Sequence, residues 1–333
     1  MAIPEFSVVV PMFNEAEMVR ELHRRLAAVM DGLGAWEAIY VNDGSRDATL
    51  LELQRLHAAD PRTAIVNLSR NFGKEIATTA GLDHARGAAV IVIDADLQDP
   101  PELIPELVAG WRAGFDMVYA QRRARAGETW VKQATAAWFY RLMEHLGQVQ
   151  MPRNTGDFRL MSRRVVDALQ AMREQHRFMK GLFAWVGFPS LAVPYDRAPR
   201  HAGTSKWGYW KLWNLAIEGI TSFTVMPLKV ATYLGLFVAL VSVAYAGVIV
   251  VKTLFLGNPV AGYPSLVTIV LFLGGVQLMT LGVIGEYLGR IFNETKQRPL
   301  YFVERYVPSE APAAAVAPSV DMAFAAPTGG IAR

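Results

Sequence analysis

At 333 residues the chain is long enough for one large domain or two ordinary ones. It contains no cysteine, which excludes disulfides and thiolate metal sites. The formal net charge is +3, with basic residues scattered and no nucleic-acid motif beside them, so nucleic acid is excluded as the main partner and an anionic membrane face or phosphorylated ligands are favoured.

Residues 1–120 alternate short β-rich runs with helical patterns, which predicts a parallel sheet with crossover helices. Expected strands are Ser7–Val10, Ala38–Val41, Ala64–Asn67, Ala89–Ile93 and Asp116–Tyr119. Expected helices lie near Glu15–Met30, Ala48–Ala59, Gly73–Ala85 and Glu102–Ala113. Asp47-Ala48-Thr49 and Asp99-Pro100-Pro101-Glu102 read as helix starts, each with a capping acid. The apolar run Phe6–Val10 is too short for a signal peptide. No G-x-G-x-x-G or Walker A pattern occurs, so dinucleotide oxidoreductases and P-loop enzymes lack their fingerprint.

Further on, an aromatic-rich helix is expected from Gly127 to His145, then a loop at Gly147–Gly156, a strand at Phe158–Met161 and a helix from Arg163. Trp207–Met226 interleaves bulky apolar with polar residues, as does an amphipathic helix lying on a membrane. Val230–Val251 and Ser265–Gly285 carry no charge, and each matches the roughly 20 apolar residues that cross a bilayer. Gly257-Asn258-Pro259 and Tyr263-Pro264 make the tight loop between them. Lys229, Arg290, Lys296 and Arg298 flank the opposite ends, which places both termini in the cytoplasm by the positive-inside rule. Lys252, near the outer end, can snorkel to the headgroups. The expected organisation is a cytoplasmic α/β domain over 1–206, a juxtamembrane helix over 207–227, two membrane spans over 228–287, a cytoplasmic segment over 288–306 and a disordered Ala/Pro-rich tail over 307–333.

The chemistry concentrates at strand ends, where open α/β sheets bind ligands. The fourth apolar run ends in Asp94-Ala95-Asp96-Leu97-Gln98. A bare D-x-D pattern is common, but two carboxylates and an amide at a strand end suit a hard cation. Mg²⁺ takes one or two protein carboxylates and completes its shell with water and substrate phosphates. Val10-Pro11-Met12-Phe13-Asn14-Glu15 and Val41-Asn42-Asp43-Gly44-Ser45 decorate two further strand ends. Taken singly, each is also ordinary turn chemistry. On neighbouring strands the three would form one crevice.

These motifs, followed by Gly156-Asp157-Phe158-Arg159-Leu160, resemble in type and order the family 2 glycosyltransferases with the GT-A, Rossmann-like fold. Within that group the chain is similar to polyprenyl-phosphate glycosyltransferases of the bactoprenol glucosyltransferase and dolichyl-phosphate mannose synthase type. Gly285-Glu286-Tyr287-Leu288-Gly289-Arg290, with Asn293-Glu294-Thr295-Lys296 and Arg298-Pro299, is similar to the bactoprenol-type members. The resemblance implies nucleotide-sugar contacts from Pro11, Phe13, Glu15, Asp43, Ser45, Lys74, Asp94, Ala95 and Asp96, with Asp43 facing the base. It implies Mg²⁺ or Mn²⁺ held by Asp94, Asp96 and Gln98, and a catalytic part for Asp157 alongside Asp94 and Asp96. Phosphate contacts are implied from Arg122, Arg123, Lys132, Arg200, Ser205 and Lys206, the last three in a segment similar to a flexible basic loop that closes over donor and lipid phosphates. The implied reaction is inverting transfer of a sugar, glucose from UDP-glucose first among the candidates, to polyprenyl (undecaprenyl) phosphate. GDP-mannose, N-acetylglucosamine and amino-arabinose donors remain alternatives. An inner-membrane homo-oligomer, a tetramer, is implied as well. A processive polysaccharide synthase fits less well, since Gln175-His176-Arg177-Phe178 lacks the Q-x-x-R-W spacing; the non-enzymatic alternative is a membrane scaffold with a degenerate nucleotide site.

Overall fold

The computed structural model of the protein describes residues 3–123, 152, 154–175, 177–196, 226–256 and 262–310. Strands β1 (Phe6–Met12), β2 (Trp36–Asn42), β3 (Thr63–Leu68) and β4 (Ala89–Val92) are buried along their whole length. Near-continuous apolar runs are what a parallel sheet covered on both faces requires. Alternation along β1 shows how the two layers form. Val8, Val10 and Met12 pack with Leu22 and Leu26 of α1 (Val19–Met30), Leu53 of α2 (Thr49–Ala59) and Leu107 of α4 (Ile104–Arg112). Val9 points the other way, to Ala77 and Ala80 of α3 (Lys74–His84), in a cluster shared by Val165 of α5 (Arg163–Ala171) and Leu182 of α6 (Met179–Trp185).

With β5 (Met117–Arg122), β6 (Thr155–Ser162), β7 (Ser190–Tyr195) and β8 (Val303–Val307), the eight strands lie in the order β7-β5-β6-β4-β1-β2-β3-β8. Pairings β1–β2, β1–β4 and β2–β3 are parallel. The chain leaves β1 in both directions, so the strand order reverses there, and the carboxyl ends of β1, β2 and β4 border the crevice where such sheets bind ligands. Strand β6 runs antiparallel to β4, with Ile91 opposite Leu160 and Val92 opposite Arg159. Continuing that register by two residues sets Asp94 opposite Asp157. The pairing brings together acids 63 positions apart in the chain.

The early elements fall where the sequence places them, within a few residues at their ends. Three were not expected: α6, β7 and β8. Strand β8 changes the reading of the C-terminal region. It pairs antiparallel with β3 and covers what would otherwise be an open edge. Beyond it, residues expected to begin a disordered tail are packed onto the domain. The Ser309 hydroxyl donates to Glu37 at 2.5 Å and accepts from Arg86 at 2.6 Å, and the Glu310 amide donates to the Pro61 carbonyl at 2.7 Å. Burial pushes the Glu37 carboxyl up, but Arg86, Ser309 and Ser7 together hold it below its usual range. Ser309→Ala is expected to lower stability by about 1–2 kcal/mol at neutral pH, since a hydrogen bond to a buried charge is lost. The loss should shrink as pH falls through the carboxylate range, because Glu37 contributes stability only while ionised. Melting temperatures of both proteins at neutral and acidic pH check this. The rest of the expected tail, 311–333, lies outside the described residues.

Two long helices, α7 (Met226–Leu256) and α8 (Tyr263–Thr295), precede β8. They contain both expected membrane spans. Large apolar side chains project from them into the surroundings, among them Phe237 at 65% and Leu278 at 72% exposure. Among the described residues, Phe272–Thr295 meets the length and apolarity of a membrane span, whereas the apolar stretch Val230–Ser242 in α7 is shorter. The expected helices at Gly127–His145 and Trp207–Met226 lie outside the described residues.

Candidate active site

The first two strand ends are stitched to each other. The Asn14 amide donates to Ser45 Oγ at 3.0 Å, and the Arg46 amide donates to Asn14 Oδ1 at 2.8 Å. Asn14 takes a positive φ of 56° to do so, a conformation Asn tolerates better than most residues. The Glu15 amide is held by Thr49 Oγ1 at 2.9 Å. Pro11 is buried in β1, while Phe13 stands 44% exposed beside Ser45 in a shared cavity.

Asp43 is buried, and its two carboxylate oxygens accept the backbone amides of Phe72 at 2.7 Å and Gly73 at 3.0 Å. Burial pushes its carboxyl up against the pull of those amides. The residue therefore fastens the loop that starts α3. Gly44 makes this docking possible. At φ +64° it sits against the other loop so closely that a Cβ would lie 2.4 Å from the Asn71 amide nitrogen.

The fastened loop delivers Lys74, the first residue of α3, to the acids at the third strand end. Its Nζ lies 2.6 Å from Asp94 Oδ1 and 2.5 Å from Asp157 Oδ2. The acids are 19% and 12% exposed, respectively. Burial disfavours the charged ammonium, but the carboxylates of Asp94 and Asp157 outweigh it and raise the lysine pKa. For Asp94, burial prevails and its pKa is raised. For Asp157, burial also pushes upward, yet the Lys74 charge and hydrogen bond bring it below the usual carboxylate range. Neighbouring Glu75 is pushed up to about 7 by burial and then by the Asp157 charge.

After Asp94 the chain turns sharply. Asp96 Oδ1 accepts the Gln98 amide at 3.1 Å, and Leu97 between them adopts φ 55° while its side chain is buried at 2% exposure. A bulky residue holds that conformation only when its surroundings fix it. Ala95 and Gln98 are also buried, leaving Asp94 and Asp96 as the partly exposed acids of the motif. Asp99 is fully buried and takes a hydrogen bond from the Tyr195 hydroxyl.

Of the two expected arginines, only Arg122 joins this cluster. Its Nε donates to Tyr195 Oη at 3.2 Å, and its Nη2 lies 3.8 Å from Asp99 Oδ1. Arg123 instead makes an exposed pair with Asp196. Gly156 is the reason Arg122 fits, because a Cβ there would lie 2.8 Å from Arg122 Nη2. Gly156→Ala is expected to displace Arg122 and raise the KM for a phosphorylated substrate by roughly tenfold, with little change in melting temperature. Steady-state kinetics with a thermal melt on the same preparation checks this.

Three contributors were not identified from the sequence. Buried Arg159 donates to the Gly156 carbonyl at 2.8 Å and to the Asp157 carbonyl at 3.3 Å, with its guanidinium 3.6 Å over the Phe183 ring. Burial lowers its pKa to about 10, so it remains charged at neutral pH. It holds the backbone that presents Asp157. Glu75 and Tyr195 are the other two. Arg159 had a signal, a charged residue inside an apolar strand; Tyr195 and Glu75 had none. Lys132, Arg200, Ser205 and Lys206 lie outside the described residues.

The donor set suits a hard divalent cation. Among the described residues no group of three or more His, Cys, Asp or Glu could hold a metal. Mg²⁺, however, needs only one or two protein carboxylates when phosphates supply the rest. Asp94 and Asp96 are two partly exposed carboxylates of that kind, and Asp157 Oδ1 is buried with no hydrogen-bond donor among the described residues. Lys74 between Asp94 and Asp157 shows that the crevice already holds positive charge at this point.

A doubly wound sheet with an acid-rich crevice at its switch point, followed in the chain by two long apolar helices, defines the class. Residues 7–170 match the model of glycosyl transferase family 2, and residues 226–291 match that of the GtrB C-terminal hairpin. The chain belongs to glycosyl transferase family 2, in the branch that carries this hairpin. An uncharacterized glycosyltransferase of Synechocystis sp. is 56% identical over 312 residues, covering 92% of this chain and 98% of its own length. The bactoprenol glucosyl transferase of Shigella phage SfII is 49% identical over 303 residues, covering 90% and 98%. Among solved structures, glucosyl-3-phosphoglycerate synthase from Mycobacterium tuberculosis, in complex with Mn²⁺, UDP-glucose and phosphoglyceric acid, is 20% identical with a TM-score of 0.46, covering 66% of this chain and 78% of its own.

Proposed function

We propose that this protein is a membrane-bound inverting glycosyltransferase that moves glucose from UDP-glucose to polyprenyl phosphate. The observation that carries this reading is the identity of 49% to a bactoprenol glucosyl transferase over 90% of the chain, which spans the acid crevice and the hairpin together. The crevice suits a donor bearing a diphosphate, and the apolar hairpin suits a lipid acceptor.

The reaction is a single displacement. An oxygen of the acceptor phosphate attacks the anomeric carbon, the bond from that carbon to the nucleoside diphosphate breaks, and the diphosphate leaves with the electron pair. A phosphate monoester has a second pKa of about 6, so the nucleophile is mostly a dianion at neutral pH and needs no strong base. Asp157 then serves to orient acceptor or sugar, held in place by Arg159 behind it. Two polyanions must approach one another, and Lys74 and Arg122 offset their repulsion. Asp94 and Asp96, with Gln98 beside them, would hold Mg²⁺ or Mn²⁺, which supplies Lewis-acid stabilisation of charge on the diphosphate. The positive residues flanking the hairpin favour an inner-membrane location with the catalytic domain and both termini in the cytoplasm.

Incubating membranes that contain the protein with radiolabelled UDP-glucose, and separately with other labelled nucleotide sugars, tests the reading. Label from UDP-glucose in an organic-extractable short lipid supports it. Label in a long polymer would indicate a processive synthase, product from a different labelled nucleotide sugar alone would indicate another donor, and no product from any of them would indicate a scaffold.

A further inference from the structure

We propose that a cationic cavity between the end of α8 and the loop preceding α3 binds the phosphate headgroup of an anionic bilayer phospholipid. The assignment rests on the reading above that the helical hairpin lies in a membrane. The cavity has a volume of about 580 Å³, and its lining includes Arg70, Phe72, Gln175, Lys296, Arg298 and Phe302. Three cations from two distant parts of the chain thus border one space, and no Asp or Glu lines it among the described residues.

These cations are held in place without being neutralised. Arg70 Nη1 donates to the Asn71 carbonyl at 3.0 Å, and its guanidinium carbon lies 4.0 Å from the centre of the Phe72 ring. Lys296 Nζ lies 3.8 Å from the centre of the Phe292 ring, one turn earlier. Such contacts orient a cation and leave most of its N–H groups able to donate to an anion. Among the described residues, no carboxylate forms an ion pair with Arg70, Lys296 or Arg298. The acids of the adjoining cavity, Asp83 and Glu294, are engaged elsewhere. Asp83 Oδ2 accepts from Arg173 Nη1 and from the Tyr301 hydroxyl, each at 2.7 Å, and Glu294 Oε1 accepts the Gln175 amide at 2.7 Å.

Position decides which anion the cavity meets. The apolar stretch Phe272–Thr295 ends one residue before Lys296, so on the membrane reading the cavity opens where the headgroups begin. Basic pockets at the cytoplasmic ends of membrane helices attract anionic headgroups. Phe302, 59% exposed, adds an apolar wall for the glycerol and the first acyl carbons. None of Lys74, Asp94, Asp157 and Arg122 lines the cavity, which sets it apart from the crevice where the reacting phosphates meet. A bound headgroup would bridge Arg70, four residues before Lys74, to the end of α8. It would thereby tie the loop that delivers Lys74 to the membrane surface.

The test is native mass spectrometry of the full-length protein with phosphatidylglycerol, phosphatidylcholine and undecaprenyl phosphate. The wild type should bind phosphatidylglycerol roughly tenfold or more tighter than phosphatidylcholine, since each cation near a membrane surface contributes about fivefold. Arg70→Gln should cut that preference about fivefold. Arg290→Gln removes the same charge from α8 outside the lining and should leave the preference within about twofold of the wild type. If Arg70→Gln fails to fold, the double variant Lys296→Gln with Arg298→Gln decides the matter and should lower the preference to about twofold or less. Binding of undecaprenyl phosphate should be unchanged in every variant. Equal losses in Arg70→Gln and Arg290→Gln would overturn the site in favour of diffuse attraction. So would loss of undecaprenyl phosphate in place of phosphatidylglycerol. A wild type without the preference would overturn it too, while leaving the glycosyltransferase reading intact. Failure of the wild type to retain any lipid would overturn the membrane reading as well.

Discussion

Asp157→Asn is expected to lower kcat for sugar transfer by about 10²–10³-fold while changing the donor KM little, in line with removal of one preorganised polar group from an active site. The substitution keeps side-chain size and removes one charge. Arg159 still holds the Gly156 and Asp157 carbonyls, so the backbone that presents residue 157 stays in place. Lys74 keeps its contact with Asp94. What disappears is the negative charge that shares the Lys74 ammonium with Asp94. Single-turnover rates with saturating donor separate this from a binding defect. Unchanged kinetics would remove Asp157 from the reaction and leave it as a structural acid of β6.

The second large effect is expected at Lys74. Lys74→Met should reduce kcat/KM by about 10²-fold, because two acids would then face the donor's diphosphate without their compensating cation. Stability should fall as well. Breaking a fully buried pair by removing one partner costs about 3–5 kcal/mol. Lys74 is 45% exposed, so solvent screening reduces the expected loss to about 1–2 kcal/mol. The pH dependence has a definite sign. In the wild type, Asp157 titrates below the usual carboxylate range because Lys74 outweighs its burial, so its contribution is present above that range and lost as pH falls through its folded-state pKa. Without the ammonium, the pKa values of Asp94 and Asp157 both rise, and ionising them destabilises the fold. The melting-temperature gap between wild type and variant should be widest near neutral pH and close on acidification. A gap that widened toward acid would contradict the ion-pair account.

How much of this was legible in the sequence depends on the range of each interaction. The core strands were legible because runs such as Val8-Val9-Val10 and Val90-Ile91-Val92 satisfy both faces of a covered sheet, and a run that ends in acids marks its own carboxyl end. Asp94, Asp96 and Asp157 could be nominated one by one. That Asp94 and Asp157 share a lysine could not, since it follows from the antiparallel register of β6 on β4. A second part played by Asp43, holding the loop before α3, was hidden for a related reason. A buried acid after a strand suits a ligand or a backbone amide equally well, and the approach of residues 72–73 that brings the amides appears only in the fold. Strand β8 was the least legible element. Val303-Glu304-Arg305-Tyr306-Val307 is polar at its centre, because an edge strand of this sheet needs little apolar surface. Ser309, read as the start of a tail, is buried by contacts with Glu37 and Arg86, which are themselves 49 residues apart.

The central claim, transfer of glucose from a uridine nucleotide to a polyprenyl phosphate, is tested most directly with the purified protein in nanodiscs containing undecaprenyl phosphate and a panel of labelled nucleotide sugars. The expected result is a single glucosylated lipid from UDP-glucose, abolished by EDTA and restored by Mg²⁺ or Mn²⁺. Transfer from none of the donors, or label appearing only in polymer, would contradict it.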